Sequence, residues 1–151
     1  MDLRKALPQL LPGAIAWAEA RVQEVVKNGA FLSVSEEAIA RTVGVVNPEL
    51  IRIAEVQKLP LPEEPTLRAA ALQTGLLGPN MVGLTLGHAV FICRGHRTRR
   101  LLSHEFRHVH QYEQYGSIAA FLTVYLKQIV EVGYRSAPFE MDARAHELRD
   151  T

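Results

Sequence analysis

Residues 101–110 read Leu-Leu-Ser-His-Glu-Phe-Arg-His-Val-His and contain the pattern His-Glu-x-x-His. On an α-helix four residues advance about 400°, so the imidazoles of His104 and His108 project from one face, one turn apart. Two imidazoles in this arrangement can bind one zinc ion. Glu105 follows His104 by about 100°, beside the metal, where a carboxylate can hold and deprotonate a water molecule. The spacing therefore predicts a helix that carries a metal and a general base.

The other side of this helix is apolar. Leu102, Phe106 and Val109 fall within about 60° of each other, away from the histidines. Arg107 lies about 80° from the midline between the two histidines, so it can be solvated without disturbing metal binding. We therefore expect a helix from about residue 99 to residue 115, with one face in the core and the other toward metal and solvent.

Length and composition fit one globular domain. The chain has 151 residues, of which 48% are hydrophobic and 22% charged, enough for a buried core but not for a second domain. We expect one domain over 1–151, with an N-terminal part of helices and a strand at 1–80 and a metal-binding core at 81–151. The net charge of +1 gives no global attraction to nucleic acid or anionic membranes. No signal peptide and no membrane span is recognisable, so we expect a cytoplasmic protein.

Hydrophobic periodicity and turn residues predict an α+β fold with a small mixed sheet. Residues 81–93 are the clearest β-segment of the chain. Gly87 near the middle of this apolar run predicts a hairpin of two short strands. In chain order, the predicted elements are a helix between Pro12 and Gly29, a helix from Ser35 that Gly44 ends, a strand at 50–56, a helix at 66–72, a hairpin of strands 81–86 and 88–93, the histidine helix, a helix at 117–132, and a last helix that begins at Pro138.

A catalytic zinc needs a third protein ligand and one open position for water. Cys93 is the only cysteine of the chain, so this ligand is expected to be a histidine or a carboxylate. Glu140 is the predicted ligand, because it starts a helix that the preceding helix can fold back against His104 and His108. The same carboxylate would also suit the helix dipole without a metal. His146 is the alternative, but it lies about 240° round the helix from Glu140, so the two do not serve the same ion.

These residues resemble the gluzincin class of zinc metallopeptidases, in which His-Glu-x-x-His is followed on a later helix by a glutamate ligand and a small residue. Here the later residues are Glu140 and Ala143. The resemblance covers about 81–146, and strands 83–92 resemble the edge strand of the family and its hairpin neighbour. It implies a compact zincin-like domain with a C-terminal glutamate helix. Where some members have an aspartate that steadies the first histidine, this chain has Arg144, so the partner of that histidine is not predicted.

The resemblance implies zinc-dependent peptide-bond hydrolysis of the metalloendopeptidase type, with a peptide or protein substrate. Zinc would be bound by His104, His108 and Glu140, and Glu105 would activate the zinc-bound water. If strand 81–86 is an exposed edge, the substrate backbone would pair with it.

The spacing does not choose the side chain that stabilises the oxyanion among Tyr112, Tyr134 and Arg135. It also leaves a second function open, a non-catalytic binding or regulatory module that retains a metallopeptidase fold and its zinc site. The presence of Glu105 favours the enzyme, because a purely structural site needs no base.

Overall fold

The computed structural model describes residues 1–150, in which six α-helices surround a four-stranded sheet. The elements are α1 (Leu3–Asn28), β1 (Ala30–Phe31), α2 (Val34–Thr42), a 3-10 turn (Pro48–Leu50), β2 (Arg52–Val56), α3 (Pro65–Gln73), β3 (Gly83–Leu86), β4 (Ala89–Cys93), α4 (Arg99–Tyr115), α5 (Ile118–Val132) and α6 (Pro138–Ala145). The predicted α+β class is confirmed. Within the described chain, no helix combines the length and the apolar character that crossing a membrane requires.

The sheet is mixed, as predicted, and has the order β1-β2-β4-β3. β2 and β4 are parallel, whereas β1 pairs antiparallel with β2 and β3 pairs antiparallel with β4. The predicted hairpin is formed by β3 and β4. Gly87 begins its turn with a φ of 62°, a left-handed value that favours glycine. β3 therefore lies at the edge of the sheet, next to the turn that leads into α4.

Helices cover both faces of the sheet, and this explains the continuous apolar sequence of β4. Ala89 and Phe91 pack in a core with α1 and α5, whereas Val90 and Ile92 point into a second core with α2 and α4. The predicted apolar face of α4 contributes three buried residues to this second core: Leu102, Phe106 and Val109. The histidine face of α4 is thus turned away from the second core.

β3 lies at the edge of the sheet, but it does not meet the condition of exposure on which substrate pairing depended. All four of its residues are buried, because α1 packs on one side and α4 on the other. The main-chain nitrogen of Cys93 donates to the carbonyl of Val82 at 2.8 Å. By the alternation of an antiparallel ladder, the N–H and C=O groups of Gly83 and Thr85 then point away from β4.

Helix α1 begins well before the predicted start at Pro12. The carboxylate of Asp2 caps it, accepting from the main-chain nitrogens of Arg4 and Lys5 at 3.1 and 3.4 Å. Pro8 and Pro12 lie inside the helix and lack N–H groups. Both prolines are exposed and stand four residues apart, so the carbonyl groups that lose their helical partner face solvent.

Other boundaries also differ from the prediction, and one of them is the start of β3, which is Gly83 rather than residue 81. The cap of α2 is Ser33 rather than Ser35: its hydroxyl accepts from the nitrogen of Glu36 at 3.2 Å, while Glu36 accepts from the nitrogen of Ser33 at 2.9 Å. The strand predicted at 50–56 begins at Arg52, because Pro48 starts a 3-10 turn. β1 was not predicted, since two residues are too few to show a period.

The segment after α6 packs against the start of α4. The nitrogen of Leu148 donates to the hydroxyl of Ser103 at 2.8 Å, and the nitrogen of Arg100 donates to Asp150 at 2.8 Å. The guanidinium of Arg100 also pairs with Glu147 at 2.7 Å. These contacts place the carboxylate of Glu147 next to the histidine face of α4.

Candidate metal centre

Two histidines and a glutamate meet between α4 and α6. His104, His108 and Glu140 are buried, and one ligand atom of each lies within 4.8 Å of the others. Nε2 of His104 lies 3.1 Å from Oε1 of Glu140, and Nε2 of His108 lies 2.9 Å from Oε2. Pro138 begins α6, which places Glu140 in its first turn and against both rings. Two imidazoles and one carboxylate are a donor set of catalytic zinc sites, so the cluster fits a divalent metal ion of this kind.

Glu147 fixes the ring of His104. Its Oε2 lies 2.8 Å from Nδ1 of His104, and a carboxylate can only accept here, so Nδ1 carries a proton. Oε1 of the same carboxylate accepts from Arg100, which holds Glu147 in place. The Nε2 atom of His104 is therefore the one presented to a metal.

Gln111 fixes the ring of His108 in the same way, through a hydrogen bond with Nδ1. Its amide nitrogen donates to the carbonyl of Phe139 at 3.0 Å and to Asp142 at 2.9 Å. The amide oxygen must then face the ring, and it lies 2.8 Å from Nδ1 of His108. Nδ1 donates to this oxygen, so Nε2 of His108 is also presented to the metal position.

Arg107 secures α6 against the histidine helix instead of being solvated. Its guanidinium donates to Asp142 from Nε at 2.8 Å and to the carbonyl of Val43 at 2.8 Å. Asp142 in turn accepts from Gln111. A continuous hydrogen-bonded path thus runs from α2 through Arg107, Asp142 and Gln111 to the ring of His108.

Glu140 has a further donor from α5. The hydroxyl of Tyr125 donates to Oε2 of Glu140 at 2.7 Å, and Glu140 is only 2% exposed. The helix between the histidines and the glutamate therefore contributes directly to the cluster. A buried carboxylate needs such partners, because desolvation without them would favour its neutral form.

The pKa values reflect burial and mutual contact. Burial alone would lower the pKa of His104, but the hydrogen bond to Glu140 and the charges of Glu105 and Glu140 raise it to about 9. Burial alone would raise the pKa of Glu140, but the charge of His108 and hydrogen bonds from both histidines hold it well below its usual range. Glu140 is therefore an anion between two imidazole rings, and its negative charge would also favour a bound cation.

Glu105 lies beside the cluster and is held by β3. The hydroxyl of Thr85 is 2.8 Å from Oε1 of Glu105 and 3.0 Å from its main-chain oxygen. A Cβ atom at Gly83 would stand 2.8 Å from Oε2 of Glu105, so only glycine leaves room for the carboxylate there. Burial raises the pKa of Glu105, although the charges of His104 and His108 oppose this. A fixed carboxylate with a raised pKa is suited to general base catalysis.

The centre borders an open cleft with a volume of about 300 Å³. His104, Glu105 and Glu147 line it, together with His96 from the loop before α4. Glu105, although only 5% exposed, therefore lies between the buried cluster and this open cleft.

Of the three predicted oxyanion donors, the structure brings one to this cleft. Tyr134 lines the cleft and is half-buried. Tyr112 is buried, with its ring centroid 3.8 Å from that of Phe121, and Arg135 is exposed. Burial raises the pKa of Tyr134 and the charge of Glu140 raises it further, so its hydroxyl keeps the proton that a donor needs.

His146 and two further histidines do not join the cluster. Nδ1 of His146, the alternative third ligand, bonds to the carbonyl of Asp142 at 2.8 Å, and His146 is not part of the cluster. His88 pairs with Glu113 at 2.9 Å. His96 reaches the cleft but not the ligand atoms of the cluster.

Two residues that orient the imidazoles were not predicted. Gln111 stands three residues after His108 on the same helix, a spacing at which side chains meet, so the sequence contained a signal for it. Glu147 follows the end of α6, and no helical period links it to His104. Its signal was indirect, since Arg144 replaces the expected aspartate and another carboxylate must take that role.

Removing the carboxylate of Glu147 is expected to weaken zinc binding. In Glu147→Ala the ring of His104 loses the group that fixes its orientation, and such partners typically contribute about 10- to 100-fold in metal affinity. Competition with a chromophoric chelator measures the change. Glu36→Ala is the matched control, because Glu36 also pairs with an arginine, Arg97, at 2.8 Å but lies on α2. An unchanged affinity in Glu147→Ala would contradict this role.

The structure thus brings His104, His108 and Glu140 into one buried cluster and places Glu105 next to it. The cluster is suitable for a metal ion, and the neighbouring residue Glu105 lines a cleft. No model of a known protein family, no curated protein and no solved structure matches this chain.

Proposed function

We propose that this protein is a zinc-dependent peptidase of the metalloendopeptidase type with a zincin-like fold. The observation that carries the proposal is the position of Glu105, a buried carboxylate that adjoins the three ligand residues and also lines the cleft. A zinc ion that only stabilised the fold would need no such carboxylate. The zinc would be held by His104, His108 and Glu140.

The bound zinc would polarise the peptide carbonyl and lower the pKa of a water molecule. Glu105 would accept the proton that the attacking water releases. Glu105 later gives the proton to the leaving nitrogen as the C–N bond breaks. Thr85 and Gly83 keep the carboxylate in one position during both transfers, since one donates to it and the other leaves room for it.

Tyr134 stabilises the oxyanion that forms in this reaction. It lines the cleft with Glu105, and its phenol remains protonated because its pKa is raised. A neutral hydroxyl can donate to the developing negative charge without first losing a proton.

The substrate backbone meets β3 only at the cleft end of the strand, because the strand is buried and Gly83 alone of its residues lines the cleft. The outward N–H and C=O groups of Gly83 and Thr85 belong to the strand that holds Glu105, and Gly83 lines the cleft. A peptide that pairs with the outward groups of Gly83 runs past the general base. The proposed substrate is therefore a polypeptide rather than a compact metabolite.

One observation favours the alternative, a non-catalytic binding or regulatory module that retains the zinc site. β3 is buried under α1, which narrows access to the edge. In a non-catalytic module no substrate needs to reach β3, so burial of this strand under α1 would not impair its function.

Incubation of the zinc-loaded chain with a defined mixture of peptides decides between these functions. We expect new peptide termini, detected by mass spectrometry, that disappear when a chelator removes the zinc and return when zinc is restored. If the peptides stay intact after incubation with protein of confirmed zinc content, the peptidase proposal is refuted and the binding module becomes the better explanation.

A further inference from the structure

An apolar pocket adjoins the cleft. It has a volume of about 130 Å³, and its walls are almost entirely aliphatic and aromatic. The carboxylate and imidazole groups in these walls are those of Glu105, His108 and Glu140. Four residues line both the pocket and the cleft and form the boundary between them: Met81, Gly83, Glu105 and Tyr134. The pocket therefore lies directly beside the place where the reaction would occur.

Part of the pocket wall comes from the N-terminal part of the chain. Leu7, Leu10 and Ala14 line it from one face of α1, and Leu67 and Ala70 line it from α3. Both helices lie outside the region that resembles zinc metallopeptidases. Any selectivity that this wall confers is thus a property of this chain's own N-terminal helices.

The volume and chemistry of the pocket define its occupant. An apolar cavity of about 150 Å³ binds benzene, so a pocket of about 130 Å³ suits one phenyl ring or one branched aliphatic side chain. A charged or amide side chain would lose its hydration there without finding partners on the aliphatic walls. An indole ring exceeds the available space.

On the basis of the proposed function, we propose that this pocket binds the side chain of the substrate residue next to the scissile bond, of leucine or phenylalanine size, and that α1 sets this preference. The peptide lies in the cleft beside Gly83, and its side chain passes this boundary to reach the space between α1 and α5. Burial of such a side chain is the main source of affinity, because it removes apolar surface from water.

Amino-acid hydroxamates test the proposal without requiring cleavage, because the hydroxamate group binds zinc and the side chain can enter the pocket. We expect the zinc-loaded chain to bind leucine and phenylalanine hydroxamates roughly 10- to 100-fold more tightly than glycine hydroxamate, as measured by calorimetry. Tryptophan hydroxamate is expected to lose this advantage.

A substitution in the wall tests the role of α1. Ala14→Leu fills the pocket and is expected to reduce the preference for leucine over glycine hydroxamate to within about threefold, because the space for the side chain is lost. Zinc content and the affinity for glycine hydroxamate should not change. Ala16→Leu is the matched control, because Ala16 is exposed on the same helix and outside the pocket.

The outcomes separate this inference from the proposed function. Equal affinity of the zinc-loaded chain for all hydroxamates would refute the proposed role of the pocket but not the metal centre. No zinc uptake and no hydroxamate binding would overturn the proposed function and the substrate pocket with it. A preference that persists in Ala14→Leu would show that α1 does not set it. If Ala14→Leu does not fold, the hydroxamate series on the unaltered chain still decides whether the pocket is used.

Discussion

Glu140→Ala is expected to reduce the zinc content of the protein from close to one ion per chain to less than about a tenth of that value. Glu140 meets the Nε2 atoms of both His104 and His108, and it is anionic in the interior. Two imidazoles alone would leave the ion with half of a tetrahedral ligand set and without a compensating charge. Elemental analysis of the purified protein, before and after reconstitution with zinc, measures the loss.

Two further variants control for damage to the fold. Glu140→Gln retains the side-chain volume and an acceptor for Tyr125, and it should also lose zinc because an amide is a poor zinc ligand. Glu131→Ala removes an exposed glutamate of α5 and should keep full zinc. If Glu140→Ala keeps its zinc while His146→Ala loses it, the third ligand is His146 and the assignment is wrong.

Glu105→Gln should have the opposite effect, with zinc retained and peptide hydrolysis reduced by about 10²- to 10⁴-fold. The amide has nearly the same shape and can still contact Thr85, but it cannot take a proton from water. Zinc content and the rate of peptide cleavage are measured on the same preparation, so that the two effects are compared directly.

Glu113→Gln is the control on the same helix. Glu113 accepts from the main-chain nitrogens of Val46 and Asn47 at 2.7 and 3.0 Å, away from the cleft, so its replacement affects the packing of α4 but not the base. Cleavage should persist in this variant. Equal loss of zinc in Glu105→Gln and Glu140→Ala would make Glu105 a ligand and would refute its role as base.

The elements that the sequence predicted well are those in which one physical signal dominates. α4 was predicted at 99–115 and is observed there, because a strong apolar face coincides with a stop at Gly116, whose φ is 82°. The predicted start of α6 at Pro138 is also confirmed. These two helices carry His104, His108 and Glu140, so the cluster followed from their predicted positions once α6 was expected to fold back against α4.

The remaining features depend on contacts that local spacing does not encode. Pro12 was taken as the start of α1, yet a solvent-facing proline is tolerated within this helix. The sequence left open whether strand β3 is exposed, because its burial depends on α1, which is distant in sequence. Glu147 reaches His104 only because Leu148 and Asp150 fasten the chain to α4. Such placements follow from tertiary packing rather than from periodicity.

The hydrogen bonds of the Gln111 amide restrict which residues can replace it, because the side chain must accept from His108 and donate to Asp142. A glutamate there would set a second carboxylate against Asp142, and an asparagine would fall one methylene short of the ring of His108. A residue that must accept on one side and donate on the other can change only if its partner changes too. In homologous chains we expect substitutions at positions 111 and 142 to occur together.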